Sequence, residues 1–552
     1  MALLLVGTAL AWPPRAAAQD PASLALGARL YRAGLRADRR PVRAERSGVV
    51  LEGREAACIQ CHRASGMGGA EGSTAVPPIA GGVLFAPGQQ ARPRVARVFA
   101  RLTRQTPTSE SRPAYTLDTL QRALNEGLAP DGRTLDTLMP RYRLQSDEVR
   151  ALAAYTTSLQ IGTAPGLQGN TLHLATIETG AATPAVQQAG PELLAQCLAQ
   201  RSPRPTSDAE AAPTWVLHRW TLSSQPQHWP DELAALQRAQ PVFAIVSGTT
   251  GAHGRGAWQA VQQHCEREAM PCVLPNTAAV DDLQPSHWTF HFSRGASLDA
   301  ATMADRLAEQ APRGGWRSLH LVADPQSESA RIGTRRLTER LRGGAAAETE
   351  IVLHPPDTHP AWLAGLGPRD ALALWLPAAA LQRWSTRHPP PPGLAQVLVS
   401  GELIELEAQA LAPGWRALAQ ITWPYDPAER HLPRIAANVS KGLDSLQPPG
   451  QPGQPQQPLP LARSAALLRL QGHTYSACEV AAHALRRMGQ RVSRAYLVEL
   501  LESAEEAATT TAYPRFTLGP GRRLGSQGTW LMRFSAPPGA RLQPIGTWFV
   551  PD

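Results

Sequence analysis

Cys58-Ile59-Gln60-Cys61-His62 sets two thiols and an imidazole side by side, and few local patterns tie a chain so firmly to one chemistry. With 6 Cys and 15 His in 552 residues, chance produces such a run on the order of once in several hundred chains. Three uses compete for it. A dithiol oxidoreductase wants its C-x-x-C at a helix start after a strand, but the preceding "RSGVVLEGREAA" reads as a loop or short hairpin. Zinc wants further ligands, yet His62 is the only histidine before His173, and no other cysteine precedes Cys197. Covalent haem attachment needs nothing more. Two thiols add across the vinyl groups of one haem edge, and the next residue turns its imidazole to the iron.

A second axial ligand must then come from elsewhere, and methionine is the natural choice where no second histidine is near. Past the leader, only Met67 and Met139 fall in this region. Met67 follows His62 too closely to reach the far side of the ring. Met139 stands in "TLMPRYRL", where Pro140 stiffens the loop. Three helices frame these ligands. "PASLALGARLYRAG" carries Leu24, Gly27, Leu30 and Tyr31 at helical spacing, and "SDEVRALAAYTTSL" opens on Ser146 as N-cap and offers Val149, Leu152 and Tyr155. Gly27 would let these two cross closely, with Tyr31 and Tyr155 packed at the crossing. "AYTLDTLQRALNEGL" is the third, closed by Gly127.

With Cys58, Cys61, His62, the following "VPPIAG" and "LMPRY" around Met139, residues 22–160 resemble an all-α class I cytochrome c domain of the bacterial single-haem type. That resemblance implies one haem c, axial ligation by His62 and Met139, and a proline carbonyl, from Pro77 or Pro78, that orients the His62 ring. It also implies electron transfer with a periplasmic redox partner, a dehydrogenase or a terminal oxidase chain. The chain would then be an electron carrier and no enzyme.

The start agrees with export. Residues 2–12 form an apolar core, Ala16-Ala17-Ala18 supplies a small-residue cleavage site, and residues 1–18 read as a signal peptide, although no Lys or Arg precedes the core. The core is too short to span a bilayer, and no later segment is long and apolar enough. A periplasmic location follows. Net charge is +9, and every basic residue except Lys441 is an arginine. The arginines are scattered, which argues against a nucleic-acid surface.

Residues 161–170, "IGTAPGLQGN", have the composition of a linker. Beyond them short apolar strands alternate with amphipathic helices. The strands are expected at 172–178, 214–220, 241–248, 271–275, 318–324, 349–354, 371–377, 396–402 and 417–424. Helices are expected at 230–238, 257–269, 298–310, 328–342 and 377–386. This is an α/β pattern with parallel sheets. The Pro/Gln-rich stretch 447–460 reads as a disordered surface loop.

The order of "PVFAIVSGTTGAHGRGAWQAVQQHCEREAMPCVLPNT", "WTFHFSRGASLDAATMADRLAE" and "HTYSACEVAAHALRRMGQRVSRAYLVELLES" resembles type I periplasmic binding proteins, the branched-chain amino-acid binding family, over 171–552. That resemblance implies two lobes with a small ligand between them, held by loops at strand ends that would include Ser247, Thr249 and Thr250. The second domain would dock a partner or sense a ligand. The alternative is a periplasmic solute-binding or sensor protein for an amino-acid-like ligand, with the haem as an accessory. Cys265 and Cys272 either form a small disulfide or stay as two buried thiols, while Cys197 and Cys478 read as packed core thiols on helices.

Overall fold

The computed structural model describes residues 20–71, 74–89, 111–159, 161–179, 183–204, 212–249, 258–344, 347–357, 361–427, 433, 436–437, 439–441, 461–462, 464–503, 512–535 and 541–551. The expected signal peptide, the 447–460 stretch and Thr250 lie outside them. The chain divides into two compact units, the first ending at Thr163.

The first unit is built on the helices Pro21–Ala33, Leu117–Asn125 and Ser146–Ser158. Pro21–Ala33 and Ser146–Ser158 cross at Gly27, where an added Cβ would lie 2.0 Å from the Ala151 carbonyl oxygen. The Tyr31 and Tyr155 rings pack beside the crossing, with centroids 5.1 Å apart. The last helix starts one residue earlier than expected. Gln145 is its N-cap, and the Glu148 carboxylate accepts from the Gln145 backbone N–H at 2.9 Å. Gly127, in the left-handed region, ends Leu117–Asn125 by donating to the Arg122 and Ala123 carbonyls.

The unit is not purely α-helical, contrary to expectation. Arg43–Arg46 and Val49–Glu52 pair as an antiparallel hairpin, and Arg141–Tyr142 adds a third strand. The reason is local: Ser47 and Gly48 both take positive φ, which gives the two-residue turn that matches strand twist.

The second unit holds two large sheets. In the first, five neighbouring pairs are parallel, in the order Thr214–Leu222, Thr171–Thr179, Ala244–Val246, Cys272–Val273, Thr289–Ser293 and Leu524–Ser526. Leu167–Gln168 joins its second strand antiparallel, so the end of the expected linker belongs to the sheet. The second sheet runs Glu350–His354, Ser318–Ala323, Asp370–Trp375, Gln396–Val399 and Ala419–Trp423, all parallel. Thr529–Phe534 and Leu542–Phe549 then extend it antiparallel. Asp370–Trp375 and Gln396–Val399 are buried at every position, which is why these strands read as unbroken apolar runs. All nine expected strands and all five expected helices of this part are present, within a few residues at each end.

Each sheet is the centre of one lobe. The chain passes from the first lobe to the second after Ser293, returns before the helix Ala465–Met488, and crosses again between Ser526 and Thr529. A disulfide joins Cys197, on the helix Leu193–Arg201, to Cys478, on Ala465–Met488. The reading of these two as core thiols is therefore corrected: both sit on helices and both are buried, but they are bonded to each other. Cys265 and Cys272 are also disulfide-bonded.

Candidate functional site

Two places collect chemistry. The first is the four-residue helix Ile59–His62. Cys58 precedes it, and its carbonyl accepts from the backbone N–H groups of Cys61 and His62 at 3.3 and 2.9 Å. This turn sets both cysteines and the histidine on one short element. His62 is buried, and its Nδ1 lies 3.0 Å from the Pro77 carbonyl oxygen. Burial, against the Pro77 carbonyl, lowers the His62 pKa to about 4. The ring is thus neutral near pH 7, with Nδ1–H donating to Pro77 and the Nε2 lone pair left for a ligand. Of the two prolines proposed for this bond, Pro77 makes it. The approach requires Gly68, where an added Cβ would meet the Val76 carbonyl oxygen at 2.2 Å and that of Pro77 at 2.8 Å.

Neither Cys58 nor Cys61 is in a disulfide. Burial, only partly offset by a backbone hydrogen bond, pushes the Cys58 thiol up to about 12. A dithiol oxidoreductase needs the opposite, a depressed attacking thiol. Among the described residues, the one group of three metal-capable side chains is Cys197, Cys478 and Glu479, and its cysteines are bonded to each other. Among the described residues, no further Cys, His, Asp or Glu forms such a group with Cys58 and Cys61. The apolar core of the unit is edged by partly buried Cys58, Ile59, Ile79, Phe85, Tyr115, Met139 and Leu159. A core edged by partly exposed apolar groups suits a flat apolar macrocycle laid against it. The residues present thus fit a haem: two thiols outside any disulfide, a neutral oriented imidazole and an apolar bed. Met139 is half-buried, in the loop just before Arg141–Tyr142.

The second place is a cleft of about 330 Å³ between the lobes of the second unit. It lies at the C-terminal ends of parallel strands, the position that open α/β sheets use for ligands. From the first lobe come Thr249, Asn276 and Thr277, which follow Ala244–Val246 and Cys272–Val273, together with Arg469 from Ala465–Met488. From the second come Ser327, Ser329, Pro377, Glu402, Glu405 and Glu407, each following a strand. Thr249 was expected here. Ser247 does not line the cleft: it is 3% exposed, and its hydroxyl accepts from Asn276 Nδ2 at 3.1 Å. It shapes the turn and fixes Asn276, so its assignment as a ligand-binding residue is corrected.

The floor of the cleft is a buried polar network. Glu402 accepts from Ser293 Oγ at 2.6 Å and from the Tyr513 hydroxyl at 2.8 Å, which joins the two lobes. Burial raises the Glu402 pKa. Burial, then the Glu402 carboxylate, raises the Asp299 pKa to about 7. Asp299 in turn accepts from Ser400 Oγ at 2.5 Å and from the Glu402 backbone N–H at 3.0 Å. Arg469 pairs with Glu405 at 2.7 Å. Among the described residues, Arg469 Nε and Asn276 Oδ1 are buried with no hydrogen-bond partner. Buried polar atoms of this kind ask for a ligand or a water. Of the lining residues that the sequence reading missed, Asn276 and Glu402 share one signal, a position just past an apolar strand, whereas Arg469 comes from a helix and carries no such signal.

No family model matches this chain, and no curated protein matches it. Solved structures match it in outline. A type 1 periplasmic binding protein from Bordetella pertussis Tohama I is 15% identical, covers 68% of this chain and 100% of its own, and has a TM-score of 0.45. A leucine-binding protein from Thermotoga maritima is 12% identical, covers 69% of this chain and 99% of its own, and has a TM-score of 0.44. A branched-chain amino acid ABC transporter protein from Thermus thermophilus with bound valine is 12% identical, covers 70% of this chain and 97% of its own, and has a TM-score of 0.46. At these identities and scores the likeness settles neither family nor ligand.

Proposed function

We propose that the chain is an extracytoplasmic solute-binding protein for a small, amino-acid-like ligand, with a covalently attached haem c unit as its accessory. The observation that carries the reading is the cleft. It sits at the ends of two sets of parallel strands, offers both signs of charge beside hydroxyls and small apolar groups, and holds unpartnered polar atoms on Asn276 and Arg469. Two disulfides favour an oxidising compartment. No helix among the described residues is long and apolar enough to cross a membrane.

The test is thermal unfolding of the haem-loaded full chain with each of L-valine, L-leucine, L-glutamate and L-arginine. A ligand at a hundred times its Kd stabilises by about 2.7 kcal/mol. A saturable rise in midpoint, reduced in Thr249→Val, supports the reading. No rise with any probe ends it.

A second reading, electron transfer, is favoured by one specific observation, the His62 Nδ1 contact with the Pro77 carbonyl oxygen at 3.0 Å. Bound there, haem supplies a one-electron couple. Cys58 and Cys61 would hold it by thioether bonds, and His62 and Met139 would ligate its iron. The unit would then pass electrons to or from a periplasmic dehydrogenase or oxidase chain, and the cleft would dock that partner or sense its substrate. Absorption spectra of oxidised and reduced protein, expressed with cytochrome c maturation machinery, test this. A covalent haem with the long-wavelength band of methionine ligation supports it, and absence of covalent haem refutes it.

A further inference from the structure

The loop that carries Met139 is braced by one side chain. Arg141 reaches back along its own loop. Its Nη1 donates to the Met139 carbonyl, and its Nη2 donates to the carbonyls of Leu135 at 3.0 Å and Asp136 at 3.4 Å. The guanidinium fills the space that a side chain at Gly127 would need. An added Cβ there would sit 2.0 Å from Arg141 Nε and 2.2 Å from Cζ, and Gly127 has φ +75. No other residue type leaves that seat open at that backbone angle. The Gly127 carbonyl also accepts from Leu135 N–H at 2.7 Å, so seat and loop are tied together.

The base of the brace is fixed as well. The Arg141 backbone pairs with Glu45 in the antiparallel sheet. The neighbouring Tyr142 donates its hydroxyl to the Ala56 carbonyl at 2.9 Å, two residues before Cys58. One short strand therefore links the Met139 loop to the start of the cysteine motif.

We infer that Arg141 is a positioning residue that keeps the Met139 thioether on the haem iron. This rests on the haem reading given above. A thioether is a weak ligand, and its hold on iron depends on how far the loop can swing. A planar guanidinium with fixed donors cross-ties carbonyls on both sides of the loop; a lysine ammonium, a single point charge, does not match two of them at once. The brace acts on the loop backbone, and neither Cys58 nor Cys61 depends on it, so its removal is expected to leave haem attachment through the two cysteines unchanged.

The experiment compares wild type, Arg141→Ala, Arg141→Lys and Gly127→Ala as haem-loaded full-length proteins. Three readouts are taken: haem content, the methionine-to-iron band of the ferric form, and the rate at which cyanide replaces the sixth ligand. Arg141→Ala is expected to keep full haem content, to weaken the band, and to bind cyanide roughly tenfold faster, the order set by one lost hydrogen bond to a charged donor. Gly127→Ala keeps the arginine but blocks its seat, and is expected to move the same way. Arg141→Lys should fall between. A band and a cyanide rate within about twofold of wild type in both Arg141→Ala and Gly127→Ala overturn the inference. A wild type that carries haem but lacks the band overturns both the inference and the Met139 assignment. If Arg141→Ala does not accumulate, Arg141→Lys decides: unchanged spectra and cyanide rate count against the inference.

Discussion

Gly27→Ala is the sharpest test of how the first unit is held together. The new Cβ would fall 2.0 Å from the Ala151 carbonyl oxygen and 2.7 Å from Tyr155 Cβ. Ordinary contact needs more than an ångström beyond the first of these, so the helices Pro21–Ala33 and Ser146–Ser158 must separate. That separation disturbs the Tyr31–Tyr155 packing and the 2.8 Å hydrogen bond from Arg32 Nε to the Tyr155 hydroxyl. Overpacking of this kind costs about 3 kcal/mol at the upper end of the usual range. Alanine returns about 1 kcal/mol through better helix propensity. The net loss is about 2 kcal/mol, which at a typical urea slope moves the midpoint down by roughly 1 M. The two units can be followed separately, because every tryptophan except Trp12 lies at Trp215 or later. If the first unit carries the haem proposed above, haem absorbance in urea reports that unit, and tryptophan emission reports the second. The expected outcome is an early haem transition with an unmoved tryptophan transition. An unchanged or raised haem midpoint would refute the close-crossing argument.

Further outcomes can be checked on the same material. Glu328 is buried, and its pKa is raised to about 7 from an ordinary 4.5, chiefly by burial, while its Oε1 accepts from the Gln259 N–H at 3.2 Å. A raised carboxyl pKa means that wild type loses stability as pH rises from about 4.5 to 7, so Glu328→Gln should gain on wild type over that window, by up to about 3 kcal/mol; a gap that does not change between pH 4.5 and 8 in urea titrations would count against the burial argument. Removing the Cys197–Cys478 bond, which spans 281 residues, by a double serine change should lower the tryptophan-detected stability by up to about 5 kcal/mol. Calorimetry and urea melts in oxidising buffer measure this, and a loss below about 1 kcal/mol would mean that the bond constrains little. Gly68→Ala pushes against the Val76 and Pro77 carbonyls, so it should loosen the His62 ring. The expected result is a shifted midpoint potential at unchanged haem content, read by spectroelectrochemical titration, and an unmoved potential would argue that Pro77 does not tune His62.

What the sequence disclosed was what it stores locally. Parallel strands buried on both faces read as plain apolar runs, so "ALALWLP" and "QVLVSGE" could be placed by eye. Thr289–Ser293 was quoted only within the family resemblance, because "TFHFS" mixes hydroxyl and ring side chains and one of its partners, Leu524–Ser526, lies far along the chain. The three last strands escaped for a related reason. Leu524–Ser526 is short, Leu542–Phe549 contains a proline and a glycine, and all three take their places through pairings made by the tertiary fold. The cysteine motif was legible because its spacing is fixed along the chain, and the structure sets Cys58, Cys61 and His62 on one short turn. The cleft was not, because its lining comes one or two residues at a time from many strand ends. Thr249 was found and Glu402, Asn276 and Arg469 were not. The bond between Cys197 and Cys478 leaves no local trace at a separation of 281 residues.

That bond has a topological consequence. Both of its cysteines belong to the first lobe, while the five parallel strands of the second lobe lie on the chain between them. The parallel part of the second lobe is therefore carried inside a covalent ring. A single backbone cut between Cys197 and Cys478, a stretch that includes all five of those strands, leaves two fragments that still travel as one molecule until the bond is reduced. Such a nicked chain would run at full size without thiol and split with it. In an oxidising compartment the lobe can be opened by a protease without being shed.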